Sequence, residues 1–378
     1  FYYTYYSMYL KKMILVNFKN YENLTLEFSP KINCFIGDNG VGKTNLLDAV
    51  FYLSFCKSYF NSIDTLNILN GETFFSITGI FNKNEENIDD KVQCVQRKNY
   101  KKIFKVNGKE YSRLSEHIGL YPVIMVSPSD QNLVNGGSEE RRKFIDRIIS
   151  QFDKNYLNAI INYNKALLQR NTLLKKYSQN KQTFNYSILE VWDEHLIKYG
   201  TIIFEKRKKF INNFIGVFNE YYNFISNSKE QVYMDYESQL FTKSFDTLLK
   251  ESFDKDKAFE YTTTGIHKDD INFKLGNMNL KIFGSQGQQK SYILAMRLAQ
   301  FDYTYESAGV KPIMLFDDIF DKLDDLRVSQ LINIVSREKF GQVFITDTQI
   351  YRINKIFQIY NTDHKIFNIH NGKLITNR

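Results

Sequence analysis

Apolar positions along the chain follow two different periods, and the change falls near residue 138. Before it the runs are short. Residues 13–18 (MILVNF), 24–28 (LTLEF) and 32–36 (INCFI) are apolar or alternating and are separated by polar turns, which predicts three strands. A helix is predicted from Thr44 to about Phe55. Further strands are expected at 74–81, 92–97, 103–106 and 123–127. Asn107-Gly108 follows the third of these, a dipeptide suited to a type I′ hairpin turn.

From Ser138 the pattern turns helical. Ser138 can cap a helix, and Glu139 and Glu140 suit its first turn. No proline occurs up to residue 228, and the only glycines there are Gly200 and Gly216. Ile188, Leu189, Trp192, Leu196, Tyr199, Ile203 and Phe210 recur at helical spacing as an ordinary core-facing stripe. Residues 138–260 therefore read as a helical lobe with at least two long helices. Strand patterns return after Tyr261. The runs 313–316 (IMLF) and 343–346 (VFIT) are continuous and apolar, as buried parallel strands are. Residues 366–369, Asn371-Gly372 and 374–375 form a closing hairpin. The expectation is an α/β unit split by an inserted α-helical lobe: 8–137, then the lobe at 138–260, then 261–378. Residues 1–7 precede Met8, match no element, and are set aside as a leader.

Composition narrows the class. The 378 residues are 43% hydrophobic, with no run long enough to span a membrane. Cys34, Cys56 and Cys94 lack pairing or metal spacing and suit a cytoplasmic protein that uses them as small hydrophobes. A formal charge of +8 favours a polyanionic partner.

Three stretches carry chemistry. Gly37-Asp38-Asn39-Gly40-Val41-Gly42-Lys43-Thr44 fits G-x-x-x-x-G-K-[ST] between a predicted strand and a predicted helix. Glycines let backbone N–H groups converge on phosphate oxygens, and the helix N-terminus favours the anion. Lys43 suits the β- and γ-phosphates, and the Thr44 hydroxyl suits Mg²⁺. The strand 313–316 ends in Asp317 and Asp318, acids placed to hold the metal and to orient or deprotonate an attacking water. Gly284-Ser285-Gln286-Gly287-Gln288 opens a helix expected over about 289–300. Taken alone, this last stretch reads as a capped helix with Ser285 as the cap.

Together these stretches resemble the RecF family, in the SMC-like branch of the ABC ATPases. MYLKK followed by NFKNY (residues 8–21) looks like the family opening. GDNGVGKTN, residues 37–45, matches its Walker A, so Asn45 joins the nucleotide set. Residues 127–146, Gly265-Ile266-His267-Lys268-Asp269-Asp270, FGSQGQQK and DDIFDKLD (317–324) resemble its remaining motifs, the last two being signature and Walker B with the D-loop. The family pattern has Pro and Arg where Ile266 and Lys268 stand.

The resemblance implies an ABC-type, SMC-like head that binds ATP and Mg²⁺ and has weak, DNA-stimulated ATPase activity. Ser285, Gly287 and Gln288 of one copy would cap the nucleotide on another, giving an ATP-dependent homodimer that clamps DNA at single-strand gaps or duplex junctions. RecO and RecR are the implied partners and RecA loading the implied outcome. The Q-loop position falls on Asp130 or Gln131, and Gln131 is placed with the nucleotide set. Candidate DNA contacts are Lys11, Lys12, Arg141, Arg142, Lys143, Arg207 and Lys208, with Lys19, Lys206 and Lys209 behind them. Lys19 could instead lie near the nucleotide.

Rival readings fit less of the chain. A transporter subunit calls for Glu after Asp317 and a histidine after the strand 343–346. An SMC head needs hundreds of heptad residues in place of 138–260. A GTPase needs N-K-x-D, and Asn82-Lys83-Asn84-Glu85 ends wrongly. A DNA-binding module with a vestigial ATP site is the alternative from a non-enzyme class.

Overall fold

The computed structural model describes residues 8–83, 88–180, 186–320, 325–351 and 363–375. Residues 1–7, expected above to be a leader, and 321–324, within the stretch that resembles Walker B with the D-loop, lie outside the described residues. The chain forms two compact units. The first comprises Phe1–Asp130, Phe224–Ser226 and Lys290–Arg378, and the second Gln131–Asn223 and Asn227–Gln289.

The first unit holds two six-stranded sheets. One is antiparallel, in the order Tyr21–Glu27, Met8–Phe18, Phe74–Lys83, Ile88–Arg97, Ile103–Val106, Lys109–Glu110. The other runs Lys373–Ile375, His364–His370, Ile32–Ile36, Val343–Asp347, Ile313–Phe316, Val123–Val126, and all but its first strand are parallel. Every residue of Ile32–Ile36, Ile313–Phe316, Val343–Asp347 and Val123–Val126 is buried, which explains why they are apolar but for Asn33, Thr346 and Asp347.

The helix Lys43–Phe55 packs against strands of both sheets. Its sequence, KTNLLDAVFYLSF, is apolar nearly all round, as a helix buried on both sides must be. Gly79 lets it come close: a Cβ there would lie 2.5 Å from Leu53 Cδ1. Phe28, Phe35, Phe344 and Phe367 close the core beneath it with centroids 4.9–6.2 Å apart. Each buried phenyl group contributes about 1.5–3 kcal/mol.

Buried Gln342 joins the two sheets. Its Nε2 donates to Leu10 O at 2.9 Å and Ser29 O at 2.8 Å, while its Oε1 accepts from Leu10 N at 2.8 Å. Leu10 borders an irregularity where pairing with Phe74–Lys83 shifts register. The Gln342 amide thus satisfies backbone groups that the ladder leaves open. Cys34, Cys56 and Cys94 are free and buried.

The second unit contains the helices Ser138–Phe152, Lys154–Asn180 and Phe245–Phe259, and all but the last three residues of Tyr186–Ser226. It also has a three-stranded antiparallel sheet, Met278–Asn279, Asp270–Leu275, Val232–Glu237. The unit therefore reaches past 138–260 on both sides and is not purely helical. Left-handed Asn227 and Ser228, φ 57° and 56°, end the long helix. VYMDYE then alternates as a strand, a period-2 signal short enough to pass for helix among long helical stripes. No described helix is long and apolar enough to cross a membrane.

Candidate functional site

Ile32–Ile36 delivers the loop 37–42 to the N-terminus of Lys43–Phe55. Gly40 and Gly42 take φ values of 83° and 110°, which other residues seldom adopt. The loop is braced from outside. Asn20 Nδ2 donates to Val41 O at 3.0 Å, Asn20 Oδ1 accepts from Asn45 Nδ2 at 2.7 Å, and the Tyr21 hydroxyl donates to Gly42 O at 3.0 Å. A Cβ on Gly42 would meet Asn20 Nδ2 at 2.3 Å, and one on Gly372 would meet Asn20 O at 2.6 Å. Asn20 is thus wedged between the loop and the hairpin turn Asn371-Gly372, and Gly372 N also donates to Val41 O of the loop at 3.3 Å.

Asn39, Gly40, Gly42, Lys43, Thr44, Asn45, Asp317, Asp318 and Thr346 line one cleft of about 190 Å³. The Thr44 hydroxyl donates to Asp317 Oδ1 at 2.8 Å, across 273 residues of sequence. The Thr346 hydroxyl donates to the same oxygen at 2.9 Å and accepts from Asp318 N at 2.9 Å. Thr346 escaped the sequence reading, which searched that strand end for a histidine. Asp318 has φ 48°, a strained conformation for a residue with a side chain, and contributes to the cleft wall. Burial raises the Asp317 carboxyl above its usual range, against the hydrogen bonds from Thr44 and Thr346. Burial likewise lowers the Lys43 ammonium, whose Nζ donates to Gly37 O at 2.7 Å and Asp38 O at 2.8 Å. Asp38 and Asn39 are exposed on the loop.

Other candidates are engaged differently. Asp130 is 4% exposed, and its carboxylate is filled by the Tyr59 hydroxyl, Ser127 N and Arg297. It is an internal anchor. Gln131 is half-buried and opens the short helix Gln131–Asn135. Lys19 pairs with buried Asp48 of the loop helix at 2.6 Å.

In the second unit Ser285 and Gln288 exchange hydrogen bonds. Ser285 N donates to Gln288 Oε1 at 2.8 Å, and Gln288 N donates to Ser285 Oγ at 3.2 Å. This is a capping box at the start of Gln286–Ala308. Ser285 remains exposed and Gly287 half-buried.

The arginines proposed for DNA are held within this unit. Arg207 is 2% exposed, donating to Asp146 at 2.9 Å, to Asp269 at 3.0 Å and to Ile266 O at 2.8 Å. Its charge neutralises two carboxylates and cannot meet a phosphate. Arg141 grips Asp270 through two contacts, 2.8 and 2.9 Å, and Arg142 donates to Asp269 O at 2.6 Å. The His267-Lys268-Asp269-Asp270 stretch is therefore a structural hub. Among the lysines, Lys11 pairs with Asp89, Lys12 with Glu27, Lys143 with Glu139 and Glu140, and Lys206 with Asp153. Lys208 lies over the Phe204 and Phe241 rings, and Lys209 is exposed.

Comparison with known proteins covers nearly the whole chain. Residues 9–368 match the model of the RecF/RecN/SMC N terminal domain. The DNA replication and repair protein RecF of Flavobacterium johnsoniae is 47% identical over 362 residues, 96% of this chain and 100% of that one. RecF of Bacteroides fragilis is 47% identical over 97% of this chain and 98% of its own. A solved structure of the recombination mediator protein RecF-ATPrS in the RecFOR pathway superposes with a TM-score of 0.84, at 28% identity and 97% coverage of both chains. The Smc head domain of Pyrococcus furiosus, at 17% identity, shares the fold with a TM-score of 0.58 over 97% of this chain and 96% of that one.

Proposed function

Since the chain belongs to the RecF/RecN/SMC N-terminal domain family, as a DNA replication and repair protein of the RecF type, we propose that it is an ATP-driven DNA clamp. It binds ATP in the cleft over the loop 37–42, pairs with a second copy while the nucleotide is intact, and separates on slow hydrolysis stimulated by DNA. The substrate is gapped or junction DNA. RecO and RecR act with it, and RecA loading is the outcome.

The observation that carries this reading is the meeting of Thr44 and Asp317 at 2.8 Å beside Lys43. A hydroxyl and a carboxylate side by side are hard oxygen donors of the kind Mg²⁺ takes, so these two residues would hold it. The ion would supply charge neutralisation for the β- and γ-phosphates. The loop N–H groups and the helix N-terminus cradle the phosphates, and Lys43 turns from the loop carbonyls to them. Asp318, in the cleft wall, is the group for the attacking water. Its aspartate arm, in place of glutamate, suits slow turnover. Exposed Ser285, with Gly287 and Gln288, caps the nucleotide of the other copy. Binding energy for ATP then becomes dimerisation energy, and the γ-phosphate is the switch.

Light scattering on Asp318→Asn tests this. Mass should double with Mg-ATP, and duplex DNA should be retained only in that state. A variant that binds ATP and stays monomeric with and without DNA would leave Ser285 an ordinary helix cap. The site would then be a vestigial one within a DNA-binding module.

A further inference from the structure

Burial between Asp146 and Asp269 removes Arg207 from any DNA surface, and Arg141 is paired with Asp270, yet the chain's positive charge is concentrated in one place. Residues 91–113 hold eight Lys and Arg side chains against one acid, Glu110. That is a net +7 of the chain's +8.

This stretch builds the last three strands of the antiparallel sheet, from Ile88–Arg97 through Ile103–Val106 to Lys109–Glu110. Val92, Cys94 and Phe104 enter the core. Side chains alternate along a strand, so Lys91 and Arg97 leave by the opposite face. Lys105, whose cross-strand partner is Gln93, leaves by that face too. From Lys91 to Arg97 is about 20 Å at ~3.4 Å per residue. That matches about six phosphates along one strand of a duplex, at ~3.4 Å each.

At the hairpin tip Arg97, Lys98, Asn99, Tyr100 and Lys101 are all exposed, Tyr100 to 72%. The tip is nevertheless fixed. Buried Gln96 donates Nε2 to Arg97 O at 2.7 Å and to Tyr100 O at 3.0 Å, and Lys98 N donates to Thr73 O at 2.9 Å. Among the described residues, none of Arg97, Lys98 and Lys101 has a carboxylate within 4.0 Å. Lys102 alone turns inward, to Asp64 at 2.7 Å. Cations left unpaired on a rigid loop lose little freedom when an anion arrives.

We propose that the hairpin 91–113 is a DNA-contacting strip, with its cations on backbone phosphates and the Tyr100 ring stacking on a base left unpaired at a gap or junction. The proposal rests on the DNA-binding reading above and adds the surface. It predicts binding that is electrostatic, indifferent to sequence and steep in salt.

The experiment is anisotropy with a labelled gapped duplex, in Mg-ATP, from 50 to 200 mM salt. The proteins are the unmodified chain, Arg97→Gln/Lys98→Gln/Lys101→Gln, and the charge-preserving Arg97→Lys/Lys98→Arg/Lys101→Arg. Each lost phosphate contact lowers the slope of log K against log salt by about 0.9, so the Gln variant should lose about 2.7. Its affinity at the upper salt limit should fall at least tenfold, while the charge-preserving variant keeps both. ATP binding should be equal in all three, since none of these residues lines the cleft. An unchanged slope in the Gln variant overturns the proposal and leaves the strip to an acidic protein partner. If the unmodified chain shows no DNA binding, the clamp reading itself fails and takes this one with it.

Discussion

Arg297 and Asp130 are bound to each other in the core of the first unit, Nη2 to Oδ1 at 2.6 Å and Nε to Oδ2 at 3.1 Å. The Tyr59 hydroxyl donates to the same Asp130 at 2.6 Å, and Tyr59 N donates to Asp48 of the loop helix at 2.7 Å. The helix carrying Arg297 begins at Gln286, in the stretch that resembles a signature motif. One hydrogen-bonded chain thus connects the loop helix to the helix Gln286–Ala308.

Breaking that pair should be expensive. Arg297→Ala leaves a buried carboxylate without its counter-charge, and such losses cost about 3–5 kcal/mol. A urea titration should show the fall in midpoint. Asp130→Asn leaves the buried Arg297 guanidinium as the uncompensated charge and should cost a similar amount.

Gln342→Leu keeps the volume and removes three hydrogen bonds to Leu10 and Ser29. Orphaning even one buried backbone group costs about 1–3 kcal/mol. The expected loss is at least that, read from chemical denaturation with the slope unchanged.

Gly42→Ala tests the loop's wedge. The added Cβ would meet Asn20 at 2.3 Å, at a φ of 110°. ATP binding should fall at least tenfold in a titration with a fluorescent analogue, while far-UV circular dichroism stays unchanged.

Acid should unfold the chain through two histidines. His117 is fully buried, its Nε2 donating to Leu53 O at 2.6 Å, and burial lowers it to about 4. His267 accepts from the Tyr163 hydroxyl at 2.8 Å, and burial lowers it to about 4 as well. A folded value below the unfolded one means that the folded state binds fewer protons. The stabilisation is full above about 6.5 and is lost as pH falls towards 4. For His117 the change between pH 7.5 and 5 is about 2 kcal/mol. His117→Gln should flatten the stability profile over that window, whatever it does to stability at pH 7.5.

Much of this was readable in the chain. The fully buried strands declare themselves as continuous apolar runs, and Gly40, Gly42, Lys43 and Thr44 have a spacing that little else produces. Asn107-Gly108 and Asn371-Gly372 adopt the positive φ values their turns require. What stayed hidden depends on distant partners. Nothing local marks Thr346 as the support for Asp317, or Asn20 as the wedge under Gly42. Arg207 looked like a surface cation because its neutralising acids, Asp146 and Asp269, are 61 and 62 residues away. The strand Val232–Glu237 is formed by pairing with Asp270–Leu275, a contact that a local window cannot see.

The position of Ile32–Ile36 has a consequence for how the protein is made. That strand lies between Val343–Asp347 and His364–His370, and the loop it feeds accepts a hydrogen bond from Gly372 N at 3.3 Å. A growing chain has the whole G-x-x-x-x-G-K-T stretch by residue 44, yet both neighbours of its strand are still untranslated for some three hundred residues more. The cleft proposed above for ATP is therefore a late product of synthesis. On that proposal, a ribosome-bound fragment ending before Val343 should leave Ile32–Ile36 without either neighbour and bind no ATP, and nucleotide capture should report that those two strands have docked.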